Sequence, residues 1–144
     1  FSANWLEPLA QVLHRLGSRH VLVVHAEDGL DEISIGAPTQ VAELKDGTVR
    51  SYTLQPEQFG LTRGNIKTLA VDGAQQSLAV MLSVLDGVPG AARDIVLLNA
   101  GAAIYVAGLA ANLQAGVDKA KQAIDSGAAR ARLNELVKFS KSFK

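Results

Sequence analysis

His25-Ala26-Glu27-Asp28-Gly29-Leu30-Asp31-Glu32-Ile33-Ser34-Ile35-Gly36 is the segment on which the reading of this chain turns. It follows Val21-Leu22-Val23-Val24, the most strand-like run in the sequence. A short, continuous apolar run rich in β-branched residues suits a strand covered on both faces, as in a parallel sheet. Glu27-Asp28-Gly29 is turn chemistry, and Asp28 can close an Asx turn onto Gly29 or Leu30. The segment therefore sets four carboxylates, one imidazole and a glycine turn at a strand's C-terminal end. In open α/β sheets that is where ligands bind.

Upstream, Trp5, Leu6, Leu9, Val12, Leu13 and Leu16 recur on one face of a helix. Asn4 with Glu7 forms a capping-box-like start, and Gly17 reads as the stop. Downstream, Ile33-Ser34-Ile35 alternates and reads as a short strand, broken by Gly36-Ala37-Pro38. Residues 41–44 and 49–54 flank Lys45-Asp46-Gly47-Thr48, and Asp-Gly between alternating runs is a strong hairpin signal. Gln55-Pro56-Glu57 opens a loop or single helical turn ending at Phe59-Gly60. Residues 65–70 read as a further weak helical turn.

The second half is helical. Asp72, with Gln75 three residues on, is the expected cap of a helix whose buried stripe is Leu78, Met81, Leu82 and Leu85. The stretch 95–111 is apolar almost all round and small-sided. It falls short of the roughly 20 residues a membrane span needs, so it reads as a buried central helix. Asn99 and Tyr105 then require hydrogen-bond partners inside the protein. Val117, Ala120 and Ile124 mark another helix, and Leu133, Leu136 and Val137 the stripe of a last one. The expected fold is α/β: a mixed, mainly parallel sheet with an antiparallel hairpin, flanked by helices, with a helical C-terminal half.

The chain has 144 residues, a size that suits one domain. Its formal net charge is zero, which gives no support for long-range attraction to nucleic acid or a membrane surface. Cysteine is absent, which excludes disulfides and thiolate chemistry and fits a reducing compartment. No signal peptide is seen. Phe1 stands at the edge of a helical pattern, as in part of a longer polypeptide. There is no dinucleotide or Walker-type glycine loop and no convincing serine nucleophile motif. His14, His20 and His25 do not make a zinc spacing.

Asp31 and Glu32 are the candidate metal ligands. In a loop both can approach one solvent-filled cleft, and a few carboxylates plus waters suit Mg²⁺, especially where a substrate phosphate supplies more oxygens. On spacing alone the alternative is a solvated acidic turn. His25 ends the strand and reads as a core-edge histidine satisfied by a backbone carbonyl, with a catalytic role as the alternative.

The run Val23-Val24-His25 through Asp28-Gly29-Leu30-Asp31-Glu32-Ile33-Ser34 resembles anthranilate phosphoribosyltransferase. The resemblance continues through residues 38–44, 52–61, 92–100, 105–108 and 125–128, and so covers essentially the whole chain. It implies a nucleoside phosphorylase/phosphoribosyltransferase-like fold in which residues 1–144 are the C-terminal portion of a single α/β domain. The family's N-terminal helical domain, its Gly-rich diphosphate loop, its Lys-His-Gly-Asn segment and its anthranilate-binding arginine have no counterpart here. The resemblance places the family's acidic metal ligands on Asp31 and Glu32 and makes no residue of this chain catalytic. The expected activity is transfer of the phosphoribosyl group from phosphoribosyl pyrophosphate to anthranilate with Mg²⁺, in tryptophan biosynthesis. A cytoplasmic homodimer is expected for the full-length enzyme, with no nucleic-acid or membrane partner and no activity in the piece alone. The alternatives are a nucleoside phosphorylase-like enzyme, or a nucleotide- or nucleic-acid-binding relative on the same fold.

Overall fold

The structure is a computed structural model and describes residues 2–143. In chain order it contains helix α1 (Leu6–Arg15), strands β1 (His20–Ala26), β2 (Thr39–Lys45) and β3 (Thr48–Leu54), and then helices α2 (Ala74–Leu85), α3 (Ala91–Val106), α4 (Leu113–Asp125) and α5 (Ala128–Lys141). Single 3₁₀ turns at Pro56–Phe59 and Ile66–Leu69 carry the chain from the sheet to the helices.

The sheet has three strands in the order β1-β2-β3, and both pairings are antiparallel. The expected parallel sheet is not present among the described residues. A parallel return needs a crossover of a dozen or more residues, usually a helix. Residues 27–38 contain no helix and simply turn back, so β2 runs beside β1 in the opposite sense. The apolar character of the run from Val21 to Val24 has another cause. Val23 packs on the Leu6, Ala10 and Ala42 cluster on the α1 side, while Leu22 and Val24 pack on the main core beneath α3. Two helices cover the two faces of β1, and parallel neighbours are not what its composition reports.

The hairpin is as the sequence indicates. Asp46 and Gly47 have φ of 50° and 75°, the paired left-handed conformation of a type I′ turn. Ile33-Ser34-Ile35, expected as a strand, is loop. All three of its residues are buried, at 3%, 0% and 0% exposure, so the apparent alternation did not mark one inside and one outside face.

The helical half needs further correction. In α2 the buried residue is Val84, while Leu78 and Met81 are exposed. Its N-cap is Gly73, and Asp72 instead donates its backbone N–H to the Gln76 side chain. The α1 stripe splits: Leu6 faces the sheet, whereas Trp5, Leu9, Val12 and Leu16 are exposed. No residue of α5 is buried, and Leu136 and Val137 are exposed. Helix α3 ends at Val106 and buries one stripe, Leu97, Leu98, Gly101, Ala102 and Tyr105. No helix among the described residues is long and apolar enough to cross a membrane.

The main core joins the sheet to the helices through Ile33, Ile35, Val41 and Leu54 from the first half and Leu97, Leu98, Val117, Ala120 and Ile124 from the second. Helices α3 and α4 cross at Gly101 and Gly116. A Cβ on Gly101 would lie 2.6 Å from the backbone nitrogen of Val117. Side chains at the crossing would hold the helices apart, so the two glycines set how closely α3 and α4 pack.

Candidate metal-binding loop

The connection between β1 and β2, residues 27–38, is built from short polar bonds. The Ala26 N–H donates to the Leu30 carbonyl at 3.0 Å, and the Glu27 N–H to the Pro38 carbonyl at 2.9 Å, closing the neck of the loop. Asp28 forms the expected Asx turn, its Oδ1 accepting from the Leu30 N–H at 3.3 Å. Gly29 follows with φ of 89°, a conformation that favours glycine.

The far limb is pinned from three sides. Ser34 donates its hydroxyl to Asp28 Oδ2 at 2.6 Å and accepts the Gly36 N–H at 2.8 Å. The Ser34 N–H donates to Thr39 Oγ1 at 3.0 Å, and both Ser34 and Thr39 are fully buried. The Gly64 N–H donates to the Ile35 carbonyl at 2.9 Å. From α3, Asn99 accepts the Ile33 N–H on Oδ1 at 3.0 Å and donates Nδ2 to the Ile33 carbonyl at 2.9 Å.

Asp31 and Glu32 lie between these anchors, and both are exposed. None of the six ion pairs among the described residues involves either of them. Two adjacent, uncompensated carboxylates repel each other and favour the approach of a cation. The donor set is hard oxygen, which suits Mg²⁺ held by one or two carboxylates with waters and substrate oxygens completing the shell. No group of three or more His, Cys, Asp or Glu side chains that could hold a metal occurs among the described residues. Asp31 and Glu32 therefore do not make up a closed structural metal site by themselves.

His25 precedes the loop and Glu27 is its first residue. Glu27 adds to the negative potential that holds the Arg63 guanidinium above its ordinary pKa, behind the leading contribution of the Arg63–Glu57 hydrogen bond. His25 lies in β1 and is half-buried. His14 is exposed on α1, and His20 pairs with Glu43 at the opposite end of the sheet. The three histidines do not converge on the acids. Among the residues that shape the loop, the sequence does not mark Ser34, Thr39 and Asn99 as parts of the site. Asn99 gave a signal, a lone amide in an apolar helix, but nothing in the sequence indicates which backbone it reaches.

Comparison with known proteins follows the same line. Residues 1–130 match the family described as the glycosyl transferase family, a/b domain. The anthranilate phosphoribosyltransferase of Thioalkalivibrio sulfidiphilus is 61% identical over 142 residues, covering 99% of this chain and 42% of that protein. That of Burkholderia vietnamiensis is 48% identical, covering 100% of this chain and 42% of its own length. The crystal structure of anthranilate phosphoribosyltransferase from Thermus thermophilus superposes with a TM-score of 0.87 at 38% identity, over 96% of this chain and 41% of that one. The Saccharomyces cerevisiae enzyme in complex with PRPP and Mg gives a TM-score of 0.86 at 22% identity, over 99% of this chain and 41% of that one, a likeness of fold. The chain thus spans about two-fifths of the length of the relatives it matches.

Proposed function

Since the chain belongs to the glycosyl transferase family, a/b domain, we propose that it is the C-terminal portion of an anthranilate phosphoribosyltransferase. The full-length enzyme moves the phosphoribosyl group of phosphoribosyl pyrophosphate to the amine of anthranilate, a step of tryptophan biosynthesis carried out in the cytoplasm. The single observation that carries this reading is 61% identity sustained over 99% of the chain. The exposure of Asp31 and Glu32, with no ion pair to either, is compatible with it.

In this reading Asp31 and Glu32 hold Mg²⁺ at the mouth of the β1–β2 loop. Bound there with substrate, Mg²⁺ supplies neutralisation of the negative charge that collects on the leaving pyrophosphate. The loop's own contribution is positional. Its buried limb keeps the backbone that carries the two carboxylates at the end of β1, which narrows the space their side chains must search when substrate arrives. The chain offers acids where the diphosphate must sit. Cationic or backbone N–H donors to the phosphates therefore come from the portion of the enzyme outside these residues. That portion also carries the amine-acceptor site and the helical domain of a homodimer.

The experiment is direct. Purified full-length enzyme should consume anthranilate only when phosphoribosyl pyrophosphate and Mg²⁺ are both present, followed by the loss of anthranilate fluorescence. The 144-residue piece should give no product. Turnover of nucleosides with inorganic phosphate, and none with anthranilate, would move the assignment to the phosphorylase class.

A further inference from the structure

Only two residues of the loop's distal turn lack an anchor, and they are the two acids. Leu30 is fixed on one side, through its carbonyl to the Ala26 N–H and its N–H to Asp28. Ile33 is fixed on the other, through Asn99. Asp31 and Glu32 span the gap.

The Asn99 side chain makes three hydrogen bonds to backbone, using both of its N–H donors and one lone pair of its oxygen. It accepts from the Ile33 N–H and donates to the Ile33 carbonyl and to the Ile95 carbonyl of its own helix, at 3.0, 2.9 and 3.0 Å. A reversed amide would set its NH₂ against the Ile33 N–H, so this network fixes the orientation. Ile33 has no strand to pair with, and the Asn99 amide takes the place of one. It does so from a helix whose neighbours Leu97 and Leu98 are buried apolar residues and whose packing against α4 is set by the Gly101–Gly116 crossing. One peptide unit, about 3.8 Å between Cα atoms, separates the clamped residue from Glu32.

We propose that Asn99 is a positioning residue for the acidic pair. Its clamp on Ile33 sets the reach and aim of Glu32 and Asp31, and so tunes the affinity of the enzyme for the divalent cation. The proposal rests on the reading of the two acids as cation ligands. The Asn99 amide is spent on the backbone of Ile33 and Ile95, so its effect is carried by the backbone of the loop. Groups behind metal ligands commonly change metal affinity by roughly 10–100-fold when removed.

The test compares three variants of the full-length enzyme: Asn99→Leu, which keeps the branched shape and removes the clamp; Leu97→Ala, which opens the core beside the same helix and leaves the clamp in place; and Asp31→Asn with Glu32→Gln. Velocity is measured against free Mg²⁺, and thermal stability in parallel. Asn99→Leu should raise the half-saturating Mg²⁺ concentration about tenfold or more. Leu97→Ala should lose stability with no such shift. Equal Mg²⁺ dependence in Asn99→Leu and Leu97→Ala overturns the proposal. Should Asn99→Leu not fold, Asn99→Ser gives the same comparison, and an unshifted curve there is equally fatal. A wild-type Mg²⁺ curve from the double acid variant removes the metal reading itself, and the role of Asn99 with it. A shift in that variant but none at Asn99 removes the positioning role alone.

Discussion

Tyr105 on α3 donates its phenolic hydroxyl to Glu43 Oε1 on β2 at 2.7 Å, tying the central helix to the middle strand of the sheet. Glu43 is the hub of a wider cluster. His20 Nε2 lies 3.0 Å from the same carboxylate, and Tyr52 donates to Oε2 at 3.1 Å. Lys45 donates to the Tyr105 hydroxyl at 3.2 Å, and the His20 ring meets the Tyr105 ring edge to face at 4.6 Å. A hydrogen bond to a charged group contributes about 1.5–3 kcal/mol net. Tyr105→Phe should therefore destabilise the full-length protein by about 2 kcal/mol in denaturant unfolding while leaving the loop acids undisturbed. A loss of Mg²⁺ dependence in this variant would contradict the separation of the two ends of the sheet.

Acid should act through the same carboxylate. Burial raises the Glu43 pKa, but hydrogen bonds from Tyr105, His20 and Tyr52 together outweigh it and leave the group below its ordinary 4.5. A carboxylate depressed on folding contributes stability that is complete above the unfolded value and lost as pH falls through the folded one. Wild type should therefore lose more stability than Glu43→Gln as pH is lowered below about 4.5. Parallel curves through the acid range would show that Glu43 is not the linked group.

The glycine crossing makes a steric prediction. On helix propensity alone, Gly→Ala at an interior helical position gains up to about 1 kcal/mol. At Gly116 the new methyl would run into the Gly101 carbonyl, and at Gly101 it would meet the Val117 backbone at 2.6 Å. Backbone cannot yield as a side-chain tip can, so overpacking should dominate, at about 3 kcal/mol for either substitution. Thermal melts of Gly101→Ala and Gly116→Ala check this, and an unchanged or raised Tm for either would contradict it.

Ser34→Ala removes two contacts at once. The Gly36 N–H loses its acceptor and Asp28 loses its donor, at a fully buried position. An unsatisfied buried polar group costs about 1–3 kcal/mol. The effect should be local: faster hydrogen exchange across residues 28–36, with the amides of α4 unaffected.

Which parts of this were legible beforehand follows from how local each signal is. The hairpin was readable because Asp46-Gly47 carries its turn type in two residues. The stripe Val117, Ala120, Ile124 was readable because all three are buried on one face of α4. An apolar run such as Val21 to Val24 reports coverage of both faces and is silent on the direction of its neighbours, so it does not distinguish a parallel from an antiparallel sheet. Periodicity finds the apolar faces of Leu78, Met81, Leu136 and Val137 without saying whether anything covers them. Asp31 and Glu32 were singled out by composition. Their anchors were not, since Asn99 lies 66 positions from the residue it holds and no spacing rule spans that distance.

The central claim, that Asp31 and Glu32 carry the divalent cation, is tested most directly by metal binding rather than by turnover. Mn²⁺ titrated into the full-length enzyme with phosphoribosyl pyrophosphate present can be followed by the loss of the free-ion paramagnetic signal. Wild type should take up the ion, and Asp31→Asn with Glu32→Gln should bind it at least about tenfold more weakly at unchanged thermal stability. Superimposable binding curves would contradict the claim.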